Sequence, residues 1–262
     1  MATTSSRALL RAFAALSLFV ATAAAADADP TCGASSPPPS SSSPSLVDIT
    51  APVDASLVTW EKADGLGASH RVQSSSRADG DDANVSELAF GAHTGTHVDA
   101  PRHFARDSDA GIETLLLSWM NGPAMVIDAF DVPALTAEAL ASLDIPRGVE
   151  RIVFRTDNTR RRLMRLRAFQ RDYVAFTEDG ARWMVDFRPD VKTIGVDYVS
   201  VAAYDHLVAA HRVLLEAGKV PLEGLVIPEE SVRSGWWRLH CAPLLLVGSD
   251  GAPARAWLTE LD

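Results

Sequence analysis

From residue 45 onward, short apolar runs recur between Gly, Pro and Asp residues. They predict strands at 45–50, 87–90, 124–128, 151–155, 193–196, 225–227, 244–247 and 254–258. Between them, apolar positions at helical spacing predict helices at 137–143, 177–187 and 203–217. Thr136 opens the first helix and Pro146 lies just beyond its end, where it stops any continuation. Gly218 closes the third. Strands alternating with helices point to a mixed α/β domain.

The N-terminus breaks this pattern. Residues 12–25 form one apolar run of about 14 residues, too short for the roughly 20 a membrane span needs. Arg7 and Arg11 precede it and Ala23-Ala24-Ala25 ends it, the layout of a secretory signal peptide over 1–25. Residues 26–45 are rich in Pro and Ser and cannot bury enough apolar surface to order themselves, so they read as a tail. One domain, 46–262, is left. The expected mature chain is exported and extracellular, in the matrix or cell wall, and free of the membrane once the signal is cleaved.

Composition changes little in this picture. Hydrophobics at 47% and charged residues at 22% are ordinary for a globular protein. A net charge of −10 argues against nucleic acid as a partner. The arginine-rich stretch Arg160-Arg161-Arg162 with Arg165, Arg167 and Arg171 reads as a solvated face. Two cysteines do not make a disulfide scaffold. Cys32–Cys241 pairing is open in an oxidising compartment, but Cys241 sits in an apolar run and reads as a buried small hydrophobe. Asn84-Val85-Ser86 is a glycosylation sequon, which in an exported chain belongs on the surface.

The chemistry concentrates in His93-Thr94-Gly95-Thr96-His97-Val98-Asp99-Ala100-Pro101-Arg102-His103. Imidazole and carboxylate are metal ligands and proton carriers. On a straight strand His93 and His97 would stand about 13 Å apart, too far to share an ion. Gly95, Thr96, Val98 and Pro101 make a poor helix. The solution left is a loop that curls at Gly95-Thr96, with Pro101 turning the chain so that His103 faces back. Further on, His211 is four after Leu207 and three before Leu214, on the buried face of a predicted helix. Glu223 follows twelve residues later beside an apolar run, where a carboxylate needs a partner. His70, His206 and His240 read as surface residues.

These residues carry a family resemblance. The run His93 to His103, continued by Phe104, resembles the signature of the cyclase family, which includes bacterial-type kynurenine formamidases and isatin hydrolases. The likeness continues through Asn121-Gly122-Pro123-Ala124, through Phe154-Arg155-Thr156 with Asn158-Thr159, through the stretch Gly195 to Asp205, and through Leu239-His240-Cys241-Ala242-Pro243-Leu244. The later motifs are similar to those of plant exported cyclase-like proteins.

The resemblance implies a swivelling β/β/α domain, a mixed sheet with flanking helices, in a homodimer or larger homo-oligomer. It implies a pair of divalent ions, zinc first and manganese as the alternative. His93, His97 and Asp99 would hold one; Asp99 would bridge to a second, held also by His211, with Glu223 completing the pair. His103 would be the general acid/base, and Trp60 would lie against the substrate ring. The implied partner is a small-molecule amide, and the implied reaction is arylformamidase-like, N-formylkynurenine and water giving kynurenine and formate. An isatin-type lactam hydrolase is the alternative, as is a secreted regulatory or binding protein of stress or cell-death control that keeps the metal site without turnover. Asp197 and Ser200 read either as supports of the ligands or as caps of the following helix. The chain departs from the family at Ala51, where a His is common, and across 51–82, which lacks the usual Pro-rich pattern.

Overall fold

The computed structural model describes residues 46–261. They lie within one compact unit, Pro44–Asp262. In chain order the elements are β1 (Leu46–Asp48), β2 (Arg71–Ser75), β3 (Val85–Leu88), β4 (His97–Asp99), α1 (Leu117–Met120), β5 (Gly122–Ala129), α2 (Ala137–Ser142), β6 (Arg151–Thr156), α3 (Asp157–Arg160), α4 (Glu178–Phe187), β7 (Thr193–Val196), α5 (Leu207–Glu216), β8 (Val220–Glu223), β9 (Gly235–Pro243) and β10 (Gly251–Thr259). The signal peptide and Pro/Ser-rich tail expected over 1–45, and Cys32 with them, lie outside the described residues.

The main sheet runs β1-β10-β4-β8-β7-β6-β5-β9. Strands β5 to β8 are parallel neighbours, and the other pairings are antiparallel. Strand β9 also pairs with β10, from Ala254↔Pro243 to Thr259↔Arg238, which closes seven strands into a ring. The ring encloses one apolar core, including Val126, Val153, Leu222, Trp237, Leu239, Cys241, Ala254 and Ala256. The opposite side of β5–β7 presents Ile127, Ile152, Phe154, Ile194 and Val196 to Leu140 of α2, Met184 of α4 and Leu214 of α5. Burial on both faces is why these strands are continuous apolar runs rather than alternating ones. A second, two-stranded sheet pairs β2 with β3.

The helices follow their sequence signals. Thr136 Oγ1 accepts the Ala139 amide and starts α2. Thr177 does the same for Gly180 at the head of α4. The third predicted helix starts as a 3₁₀ turn, Tyr204–His206, and becomes α5. Two strand predictions fail. The run 244–247 is not a strand: β9 ends at Pro243, and Leu245 and Val247 are 75% and 81% exposed. Four successive aliphatic residues have no period, whereas in β9 Trp237, Leu239 and Cys241 alternate inward. The run 225–227 is a buried coil whose amides reach Val196 and Ile49 carbonyls. The strand lies just before it, in β8, which contains Pro221, a residue that argues against an interior strand. Strand β4, three residues inside the histidine run, was expected as loop.

Candidate metal centre

Gly95 is the bend that the histidine spacing demands. Its φ of +67° is left-handed, and it reverses the chain between His93 and β4. The rings of His93 and His97 consequently lie 5.0 Å apart. Gly224, at the end of β8, packs on this bend: a Cβ there would fall 2.2 Å from the Gly95 carbonyl oxygen. Thr96 pins the bend, donating its hydroxyl to the Gly224 carbonyl (2.7 Å) and accepting the Ala51 amide (2.8 Å). Ala51 thus lies beneath the loop, packed with Leu57 and Val58.

Sheet register supplies the rest. His97 and Asp99 are two apart on β4, so they share a face. His97 is the cross-strand partner of Glu223 on β8. His211 reaches in from α5 on its buried side. His97, Asp99, His211 and Glu223 are each 2% exposed or less.

Within this cluster, His97 Nε2 stands 3.2 Å from Glu223 Oε2 and 3.5 Å from Asp99 Oδ1, and His211 Nε2 stands 3.6 Å from Asp99 Oδ2. Yet His97 Nε2 and Asp99 Oδ2 are buried without a hydrogen-bond partner. Orphaned donors and acceptors at this depth are costly unless something else satisfies them. Ligands held about 2.1 Å from one ion sit roughly 3.0–3.4 Å from one another, so the 3.2 Å contact has the length of an edge of a coordination shell and the 3.5 and 3.6 Å contacts lie just beyond it. The tautomers agree. His97 Nδ1 faces the Gly95 carbonyl at 2.9 Å and His211 Nδ1 faces the Leu207 carbonyl at 2.7 Å. A carbonyl only accepts, so in the neutral ring the proton sits on Nδ1 and the Nε2 lone pair points into the cluster.

Charge says the same. Burial works against every ionised group here, but the opposite charges prevail. His97 is pushed up to about 10 by Asp99 and Glu223 against desolvation, and His93 and His211 are raised likewise. Asp99 is held well below the carboxylate range, against desolvation, by His93 and His97, and Glu223 is lowered, against desolvation and Asp99, by His211 and His97. Two buried carboxylates facing basic rings are a cation holder, and the residues fit a divalent ion. His97, Asp99 and Glu223 bring ligand atoms within 4.8 Å of one another; so do His93, Asp99 and His103, with Asp99 common to both groups.

His103 stacks on His93 with ring centroids 3.9 Å apart, and burial lowers its pKa. Both line a cavity of about 250 Å³. Trp60, Phe104, Val199 and Leu207 form its apolar wall; His97, His211, Glu223 and Ser200 face them. Among the described residues, no Lys or Arg lines it. Trp60 is held by Tyr204, stacked at 5.6 Å, and by Phe169 at 4.7 Å. Trp60, His93, His97, His103, His211 and Glu223, all proposed from sequence, meet at this cavity, and Asp99 lies against His93 and His97 without lining it.

Other candidates lie elsewhere. Asn84 is exposed in the segment joining β2 and β3. Cys241 is buried in the ring and has no disulfide partner among the described residues. Arg160, Arg161 and Arg171 pair with surface acids, as a solvated face should. Asp197 neither supports a ligand nor caps the following helix; it binds Thr156, Asn158 and Thr159 across at α3. Ser200 bonds Ala202 and lines the cavity. Two residues went unnoticed in the sequence: Val201, whose amide orients Glu223 (2.7 Å), and Asp250, which reaches His93 Nε2 (2.9 Å) and His103 Nδ1 (3.4 Å). Asp250 lies 157 residues from His93, and no local spacing marks it.

Comparison with known proteins places this geometry. The family model described as "Putative cyclase" matches residues 47–203. Cyclase-like protein 2 of Oryza sativa subsp. japonica is 43% identical over 219 residues, 82% of this chain and 79% of the rice protein. Kynurenine formamidase of Salinibacter ruber is 31% identical over 229 residues, 82% of this chain and 97% of its own. A solved structure described as a potential metal-dependent hydrolase with cyclase activity superposes with a TM-score of 0.69 at 28% identity, covering 84% of this chain and all of its own. Isatin hydrolase A from Labrenzia aggregata shares the fold, with a TM-score of 0.65 at 21% identity over 83% of this chain and 94% of its own.

Proposed function

Since this chain belongs to the cyclase family, we propose that it is a metal-dependent hydrolase of amide C–N bonds, acting on a linear aryl formamide or a cyclic aryl amide. The observation that carries this reading is the pair of orphaned atoms, His97 Nε2 and Asp99 Oδ2, beside a small cavity with an aromatic wall. A divalent ion held by His97, Asp99 and Glu223, with His93 and His211 beside them, supplies Lewis acidity toward a carbonyl and toward water. The chain's own residues do the rest. Trp60 and Phe104 hold an aryl ring and exclude water. His103, kept neutral by burial, takes a proton from the attacking water and returns it to the leaving nitrogen. The amide C–N bond breaks, a C–O bond forms, and the products are a carboxylic acid and an amine.

The lining ranks the substrates. N-formylkynurenine carries a carboxylate, and the cavity offers it no Lys or Arg. An uncharged aryl formamide or an isatin-type lactam fits the aromatic wall without leaving a charge unpaired. The test is turnover of formanilide, isatin and N-formylkynurenine by purified protein with zinc, with manganese and with chelator. Chelator-sensitive hydrolysis of the first two ahead of the third is expected. Full activity without metal overturns the reading. Bound metal with no turnover on any of the three would move the chain to a secreted regulatory or binding protein.

Export follows from the N-terminal run, and expression of the full chain in a secretory host with sequencing of the released N-terminus checks cleavage near residue 25. Glycan at Asn84 is read by mass in the same material. A homo-oligomer fits the exposed aliphatic run Leu244 to Val247, and light scattering measures it.

A further inference from the structure

The three histidines around Asp99 differ in what holds their outer nitrogen. For His97 and His211 it is a backbone carbonyl, fixed by the fold itself. For His93 it is a side chain: Nε2 meets Asp250 Oδ2 at 2.9 Å while Nδ1 faces Asp99 Oδ1 at 2.9 Å. The His93 ring is also closely packed: it stacks on His103 at 3.9 Å, and Gly251 lies against it, where a Cβ would fall 2.6 Å from His93 Cε1. A ring packed in this way can choose only between its two flipped orientations and its two tautomers. The acceptor at its outer edge makes that choice.

We propose that Asp250 is a positioning residue of the centre, setting the tautomer and orientation of His93 and steering His103 through the same carboxylate oxygen. With the His93 proton on Nε2 and donated to Asp250, the Nδ1 lone pair is turned toward Asp99. Asp250 Oδ2 also lies 3.4 Å from His103 Nδ1, which leaves His103 Nε2 as its unengaged nitrogen. Asp250 is itself held by the sheet. Its carbonyl accepts the Ala100 amide at 2.9 Å, and the next residue, Gly251, is the β10 partner of Asp99. The carboxylate therefore stands at a fixed place across from the ligands, although its side chain is 48% exposed. A carboxylate behind a ligating histidine fixes the ring and raises its basicity, and its loss typically weakens metal affinity by about 10- to 100-fold.

This role rests on the metal reading above, and the experiment separates the two. Zinc affinity of the full-length mature protein is measured by competition with a chromophoric chelator for wild type, D250A, D250N, D250E and H97A. The expected result is a loss of about 10- to 100-fold in D250A, partial recovery in D250E, and a far larger loss in H97A. In the zinc-loaded protein, ¹⁵N shifts of the His93 ring should show Nδ1 ligated and Nε2 protonated in wild type, and a loss of that fixed pattern in D250A. Unfolding of the metal-free variants reports whether each still folds. Zinc bound equally tightly by wild type and D250A, with the His93 signature unchanged, overturns the role of Asp250 alone. A folded wild type that takes up no zinc overturns the metal reading and this role with it.

Discussion

Asp99 and Asp197 are both buried completely, and both sit at the end of a strand, Asp99 on β4 and Asp197 directly after β7. Their surroundings are opposite. Asp197 accepts five hydrogen bonds: from the Thr156 and Thr159 amides, from both threonine hydroxyls, and from Asn158 Nδ2, all between 2.7 and 3.2 Å. Asn158 in turn exchanges two bonds with the backbone of Val174. Asp99 faces only histidine nitrogens and keeps Oδ2 unpartnered. Burial, opposed by its five donors, leaves Asp197 raised, whereas the rings hold Asp99 well below the ordinary range. A carboxylate saturated by neutral donors is a structural knot. One left half-satisfied among basic rings is waiting for a cation.

The largest expected effect comes from breaking the unsaturated member. D99N and H97A should lose zinc and with it turnover, by at least about 1,000-fold, on the order of 4 kcal/mol of transition-state stabilisation. Their metal-free stability should also fall, because each change leaves buried charges of the cluster without a partner. Urea unfolding in chelator measures this. A folded D99N that binds zinc as tightly as the wild type would show that Asp99 is a knot after all.

The saturated member should behave in the reverse way. D197A strands two amides, two hydroxyls and a carboxamide, and should cost about 3–5 kcal/mol of folding stability. Zinc affinity of whatever fraction folds should stay close to wild type, since Asp197 touches none of the cluster. Parallel urea and zinc titrations of D197A and D99N separate the two by zinc affinity, which only D99N should lose; a tenfold loss of zinc affinity in folded D197A would erase the distinction.

Metal loading sharpens the same contrast at a smaller scale. At a free zinc concentration about 100 times the Kd, wild type should gain about 2.7 kcal/mol. D99N should gain nothing and D197N should gain the full amount. Thermal unfolding with and without zinc is the readout, and an equal gain in D99N would place the ion elsewhere.

How far each region could be read from the chain follows from how its contacts are made. The run His93 to His103 was legible because four functional side chains share eleven residues and Gly95 names the bend. His211 and Glu223 were legible as misplaced polar groups in apolar surroundings. Helices α2 and α4 were legible because Thr136 and Thr177 announce them. Strand β8 was not, since Pro221 speaks against an interior strand and the register with β4, which brings Glu223 to His97, is a long-range property. Strand β4 is too short to show a period. The aliphatic run 244–247 misled because hydrophobicity alone does not say which residues alternate inward. Asp197 was flagged, but its role depends on Thr156, Asn158 and Thr159, some forty residues away in sequence. Asp250 had no local signal at all.

The smallest effect asks whether the knot-against-site distinction extends to a buried cation. Lys219, 5% exposed at the end of α5, donates its ammonium to the Arg188, Pro189 and Val191 carbonyls at 2.6–3.3 Å. It is partnered like Asp197, by neutral dipoles, and it lies far from the cluster in function. Burial, with Lys192 nearby, lowers its pKa from 10.5 to about 8. Between those values the unfolded chain binds more protons at this position than the folded one, so stability rises with pH from about 8 to 10.5 and is flat in this contribution below 8. The rise is at most about 3 kcal/mol. K219M removes the titrating group and should flatten the wild-type curve in that window while leaving zinc affinity untouched. Urea unfolding of both proteins at half-unit steps from pH 7 to 10.5 measures the difference. Parallel curves across the window would mean that the three carbonyls hold the ammonium at its ordinary pKa, making Lys219 as saturated a knot as Asp197.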